Sequence, residues 1–255
     1  MAAASAIKAI HQTVLRAAQP ARFIELSGLL IPWIAALGCV ALAAGLVEGL
    51  ALSPPDYQQG ETVRIMYMHV PAAWMGLFVY ALVAGLGGLG LVGGHPLAFA
   101  AARAASPLGA MFTAVCLITG SLWGKPMWGA WWVWDARLTS MLLLLFLYFG
   151  HIALSRAFDD PRRGDKAAAV LGLVGCVNLP IVKFSVDWWN TLHQPASVMK
   201  LGGPSIDPSM LWPLLLMAGA FKLIFFALWL ARTRTEVVGG RLRAAANRSR
   251  MEADR

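Results

Sequence analysis

The chain has 255 residues, 58% of them hydrophobic and only 13% charged, with a net charge of +8. A water-soluble domain carries about 25% charged residues, so this composition excludes an ordinary soluble enzyme or binding module. It is the composition of an integral membrane protein.

Read in chain order, Ala6–Ala17 predicts a weak amphipathic helix with Ile7, Ile10 and Val14 on one face, lying on the inner leaflet. Six apolar runs of roughly 16–22 residues follow, at Leu26–Val47, Pro71–Val92, Pro107–Leu122, Leu138–Leu154, Ala167–Val182 and Met210–Ala231. About 20 helical residues cross a bilayer core. The runs lack the alternation of a membrane barrel, and helices satisfy their own backbone bonds in lipid. The first run is too long for a signal segment and is kept as a span. The runs at Pro107 and Ala167 are short, which predicts thin or tilted helices. Asn178 and Pro180 predict a kink in the fifth run. Lys222 sits inside the sixth, where charge is costly; it faces the bundle, faces a partner or snorkels. Cys39, Cys116 and Cys176 each stand alone in an apolar run, without a CxxC pair, and read as small buried hydrophobes. A Walker A sequence is absent.

Charge sets the orientation. The N-terminal segment, the second and fourth loops and the tail hold 15 Lys and Arg; the opposite side holds Arg64, Lys125, Arg137, Lys183 and Lys200. The positive-inside rule makes both termini cytoplasmic. Residues 1–22 are then an inner-surface segment, 23–231 a six-helix bundle and 232–255 a basic tail, all in a single membrane domain. The tail lacks interleaved aromatics, so it suits anionic lipid or a cytoplasmic partner, and no nucleic acid. The cytoplasmic stretches HPLAFAARAAS and SRAFDDPRRGDK read as plain loops.

The outer loops carry the chemistry. Loop one, about Ser53–Val70, contains Arg64 and His69. Loop two is WGKPMWGAWWVWDARLT, Trp123–Thr139. Loop three, about Lys183–Ser209, contains Asp187, Trp188, Trp189 and His193. Five of eleven tryptophans fall within Trp123–Trp134. An interfacial aromatic belt accounts for Trp33, Trp74, Trp212 and Trp229, but does not need this density. If loop two is helical, Trp128, Trp131, Trp132 and Asp135 share a face, with Trp123, Gly124 and Pro126 forming the entry turn.

A broad indole surface suits a flat apolar ligand. A planar macrocycle such as haem needs apolar walls, cations for its propionates and axial ligands. The tryptophans offer walls, Arg64 and Arg137 offer guanidinium groups for carboxylates, and His69 and His193 offer ligands. Both histidines precede a proline by two residues, in MHVP and LHQP, which places each at or just before a helix start. Met66 and Met68 could also ligate iron, though packing explains them. Each histidine taken alone is also compatible with an ordinary interfacial residue.

The stretch WGKPMWGAWWVWDARLT resembles the tryptophan-rich "WWD" signature of haem-handling membrane proteins in cytochrome c maturation. With RIMYMHVPAAW before it and the LHQP segment after DWWN, nearly the whole chain resembles the haem exporter protein C (CcmC) family. The resemblance implies a haem b-binding subunit of the bacterial inner membrane: an all-α integral membrane protein, a six-transmembrane-helix bundle with a periplasmic cap that contains the tryptophan loop. It implies axial ligation by His69 and His193, and a platform of Trp123, Trp128, Trp131, Trp132, Trp134 and Asp135. Arg64 and Arg137 would hold the propionates. The implied role is to present haem to a membrane-anchored haem chaperone, CcmE, alongside an ABC ATPase and permease (CcmA, CcmB) and a small single-span subunit (CcmD). It implies no enzyme activity of the chain itself. The rival readings are a b-type electron-transfer protein, a secondary transporter and a non-haem scaffold subunit of an ABC-type complex.

Overall fold

In the computed structural model, residues 19–194, 197, 198, 200 and 202–253 are described. The amphipathic helix expected over Ala6–Ala17 lies outside them. The described chain is helical: α1 (Pro20–Val47), α2 (Met66–Gly93), α3 (Pro96–Trp128), α4 (Ala136–Leu154), α5 (Pro161–Gly175), α6 (Asn178–Trp188) and α7 (Pro208–Ala253). A π-helical turn, Glu48–Leu52, extends α1, and a 3-10 turn, Glu61–Ile65, leads into α2. Taking α5 and α6 together, six helical stretches are long and apolar enough to cross a membrane.

The helices outrun the apolar stretches, most clearly at α3. HPLAFAARAAS is not a loop. Gly94 ends α2 in the left-handed conformation at φ 61°, and Pro96 opens α3 at its first turn. The alanines that follow are strong helix formers, so Ala98–Ala105 joins the helix. The expected thin helix at Pro107 is therefore a 33-residue one. The fifth span does break, between Gly175 and Asn178. Pro180 has no N–H and its ring would meet the carbonyl of Cys176 in a continuous helix. Asn178 sits at the joint, and its Nδ2 donates to the Ser140 carbonyl at 2.9 Å.

Four helices make the core. Tyr67, Met75, Val79 and Tyr80 from α2 meet Phe112 of α3, Leu144 and Tyr148 of α4, and Leu214, Met217 and Phe225 of α7. Tyr148 passes Gly109, where a Cβ would overlap its ring, and its hydroxyl donates to the Gly76 carbonyl at 2.7 Å. The α1 helix packs outside, on α7, burying only Ser27, Gly38 and Gly45. Leu26, Leu29, Leu30, Trp33 and Leu37 are exposed, as expected of a lipid-facing helix, while Leu42 and Leu46 pack on the core.

The two ends of the bundle differ. At the arginine end Arg103 pairs with both Asp165 and Glu236, tying α3 to α5 and α7. The Trp229 indole N–H donates to the Ala101 carbonyl at 2.8 Å, and Arg234 to the Ile24 carbonyl at 2.7 Å. From Arg232 to Ala253 the chain continues as helix α7. The tryptophan end carries the 3-10 turn, the α3–α4 connection and the segment after α6.

Candidate functional site

The tryptophan loop is not a helix with one indole face. Helix α3 runs through Trp123, Gly124, Pro126 and Trp128, and stops at Gly129, which takes φ 75°. No side chain with a Cβ adopts that conformation cheaply, so the helical register ends there. Lys125 secures the turn: its Nζ donates to the Gly129 carbonyl at 3.1 Å and lies over the Trp131 ring. Residues 130–134 are irregular, with a bend at Trp131, and α4 starts after Asp135. Trp123 and Trp128 therefore belong to a helix end, and Trp131, Trp132 and Trp134 to a loop beyond it.

The two histidines pack against this helix end. His69, in the first turn of α2, lies edge-on to Trp123 with centroids 5.7 Å apart. His193 lies edge-on to Trp128 at 4.9 Å. His69 is thus at a helix start as expected. His193 is not: it lies in the irregular segment between α6 and α7. A carboxylate, that of Asp135, holds it there.

Each imidazole has its Nδ1 occupied. His69 Nδ1 is 3.0 Å from the Cys116 carbonyl and 3.1 Å from Thr119 Oγ1. A carbonyl can only accept, and the Thr119 hydroxyl already donates to the Val115 carbonyl at 2.6 Å. Nδ1 must therefore carry the proton. His193 Nδ1 is 3.1 Å from Asp135 Oδ2, which makes it a donor as well. In both rings the unprotonated nitrogen is Nε2, and neither Nε2 bonds to another described residue. That is the tautomer a metal-ligating histidine takes. Gly120 makes room for this: a Cβ there would come within 2.9 Å of the His69 ring.

Asp135 holds two elements at once. Oδ1 accepts from the Leu138 N–H at 2.8 Å, capping α4, while Oδ2 accepts from the His193 Nδ1–H. Its side chain is only 8% exposed. Burial lowers the pKa of His193 below the ordinary 6.5, opposed by Asp135 and aided by the Arg137 charge. The ring is thus neutral at pH 7.

The arginines are held differently. Arg137 donates from Nε to Ser185 Oγ and from Nη2 to the Lys183 carbonyl, both at 3.2 Å, leaving Nη1 uncommitted among the described residues. Arg64 pairs with Glu61 and reaches the Gly49 carbonyl at 3.5 Å. Of the two, Arg64 is the one already paired with a carboxylate. Trp132 packs edge-on against Trp134, and its buried indole N–H finds no partner among the described residues. A buried donor without an acceptor is costly, so this orphan N–H is suited to an acceptor brought from outside. Trp131 and Trp134 are exposed. Trp123 Nε1 donates to Gln59 Oε1 at 3.0 Å, tying the first connection to α3.

Thr119, the Cys116 carbonyl, Gly120 and Gln59 do not stand out in the sequence. The first three lie in an apolar run like any other. Asp135 before the Ala136–Leu154 run is a recognisable N-cap, a signal that could have placed it at a helix start. Among the described residues no three His, Cys, Asp or Glu side chains gather as a self-sufficient metal site.

Fold and site together define a polytopic membrane protein with paired imidazoles and an indole-rich turn at one end. The Heme exporter protein C family matches residues 13–248. A Heme exporter protein C of Bradyrhizobium diazoefficiens is 57% identical over 91% of this chain and 88% of its own length. Those of Escherichia coli K12 and Paracoccus denitrificans are 48% and 42% identical, covering 91% and 89% of this chain and 91% and 94% of their own. The chain belongs to the Heme exporter protein C family.

Proposed function

We propose that this chain binds haem b as cargo at the periplasmic face of the bacterial inner membrane and presents it to a CcmE-type haem chaperone. The observation that carries the reading is the shared tautomer of His69 and His193. Both rings have Nδ1–H held by protein acceptors and Nε2 left as a lone pair. Two imidazoles alone make a poor site for a free metal ion. They suit iron whose other four positions are already filled by a macrocycle.

In this reading His69 and His193 are the axial ligands. Trp123 and Trp128 set the ring planes of the two histidines, and Thr119 and Asp135 keep their protons on Nδ1. The orphan Trp132 N–H and the free Nη1 of Arg137 suit haem carboxylates, and Arg64 takes part if Glu61 yields it. The exposed Trp131 and Trp134 form the edge that meets the chaperone. Bound by two histidines, the iron has no position open to oxygen. The chain makes no covalent bond to haem; the acceptor does. CcmA, CcmB and CcmD are the assembly in which an ATPase loosens one ligand for release. The Lys and Arg gathered at one end of α3, α5 and α7 support placing that end in the cytoplasm.

The test is haem transfer in vesicles that contain the full chain, its partner subunits and the chaperone. Replacing both Trp131 and Trp134 by Ala should leave haem on the chain and sharply slow covalent loading of the chaperone. Unchanged loading would remove the tryptophan edge from the presentation step.

A further inference from the structure

Lys222 is the one Lys or Arg in the middle of a span, and the structure resolves where it points. It is exposed on the outside of α7, so it does not face the bundle. It lies 14 residues after Pro208 and 10 before Arg232, or about 21 Å and 15 Å along the helix axis. Its Nζ lies over the Phe78 ring at 5.8 Å from the centroid. Phe78 is 12 residues into the 28-residue α2, so a second helix also puts this nitrogen near mid-span.

Snorkelling does not fit. Side chains on a helix lean toward its N-terminus. For α7 that direction runs toward Trp212, the belt tryptophan 10 residues away, about 15 Å. A lysine stem reaches about 6 Å at most. The nearer end, at Trp229 and Arg232, lies against the lean. The ring of Phe78 offsets only part of the cost of a lipid-exposed ammonium.

The surface around it is shaped for a helix. On α7 the exposed stripe Trp212, Leu215, Gly219 and Lys222 follows helical spacing, and nothing stands within 4 Å of a Cβ built at Gly219. On α2 the adjoining stripe of Phe78, Ala81 and Gly85 is also exposed, with open space at Gly85. Small residues on an open stripe allow close helix approach in lipid. No Asp or Glu of this chain lies in the middle of a span, so a second copy would bring a second lysine and no acid.

We propose that the α2–α7 face around Lys222 docks a transmembrane helix of another membrane protein that carries a carboxylate near its own midpoint. The carboxylate pairs with Lys222, and the helix closes on Gly219 and Gly85. This deepens the assembly part of the proposed function and uses none of the haem chemistry.

The experiment is co-purification of the tagged full chain with its membrane partners from native membranes, with the haem spectrum read in the same sample. A photoreactive side chain at Gly219 or Gly85 identifies the docked helix; one at Phe146, exposed on α4, is the control. Lys222→Leu removes a lipid-exposed charge, so the chain should insert and resist heating at least as well as before. It should also lose the cross-linked partner by at least about tenfold, with the spectrum unchanged. Replacing the partner's mid-span acid by Leu should restore association with Lys222→Leu. The proposal is overturned if Lys222→Leu keeps its partner, if Gly219 and Gly85 cross-link only to lipid, or if the cross-linked helix has no mid-span acid. An altered haem spectrum with the partner retained would count against it too, since Lys222 would then be serving the haem site.

Discussion

At the scale of single residues the site rests on proton placement. Asp135 caps α4 with one oxygen and holds His193 with the other. Asn caps helices about as well as Asp. Asp135→Asn should therefore keep the thermal stability of the protein while weakening haem binding by about 10–100-fold, the usual cost of losing such a partner. Titration of bound haem and a melting curve check the two halves. Acid has a defined sign. The His193 pKa is lowered in the folded protein relative to the ordinary 6.5. Its neutral form is therefore favoured by the fold above 6.5, and this contribution is lost as pH falls below it. Haem occupancy should stay flat as pH falls to 6.5 and decline only under it. A decline already above 6.5 would show that His193 is not buried as described. The histidines themselves were legible in the sequence, because both stand at the ends of apolar runs on the side that carries the tryptophan-rich stretches. Their Nδ1 partners were not: Thr119 and the Cys116 carbonyl meet His69 only through the packing of α2 against α3.

At the scale of elements, six spans were legible because hydrophobic length alone marks them. Their ends were not, since polar and small residues continue a helix once it has started. HPLAFAARAAS joins α3, and the arginine-rich segment joins α7. The reading of Trp128, Trp131, Trp132 and Asp135 as one helical face fails at a single residue. Gly129 at φ 75° ends the helix between the first tryptophan and the rest. Gly129→Ala should cost about 1–2 kcal/mol. It should also move Trp131 relative to Lys125, which holds it now, and so change the tryptophan fluorescence. An Ala variant with wild-type melting and emission would mean that the turn does not need its left-handed residue.

At the scale of the molecule the two ends divide the work. The arginine end is stitched by Arg103, whose partners Asp165 and Glu236 come from α5 and α7. Arg103→Met leaves two partly buried carboxylates unpaired and should lower stability by about 1–3 kcal/mol. The haem spectrum should not change, because the histidines sit at the opposite end. Loss of haem in that variant would tie the ends together. The tryptophan end is the functional one in this account, and its central claim is that His69 and His193 ligate the same haem. The most direct measurement is the absorption spectrum of the purified full chain with haem bound, wild type beside His69→Ala and His193→Ala, with membrane insertion verified for each. The account predicts a low-spin spectrum in the wild type that either substitution converts or abolishes. A low-spin spectrum that survives in both variants would contradict it.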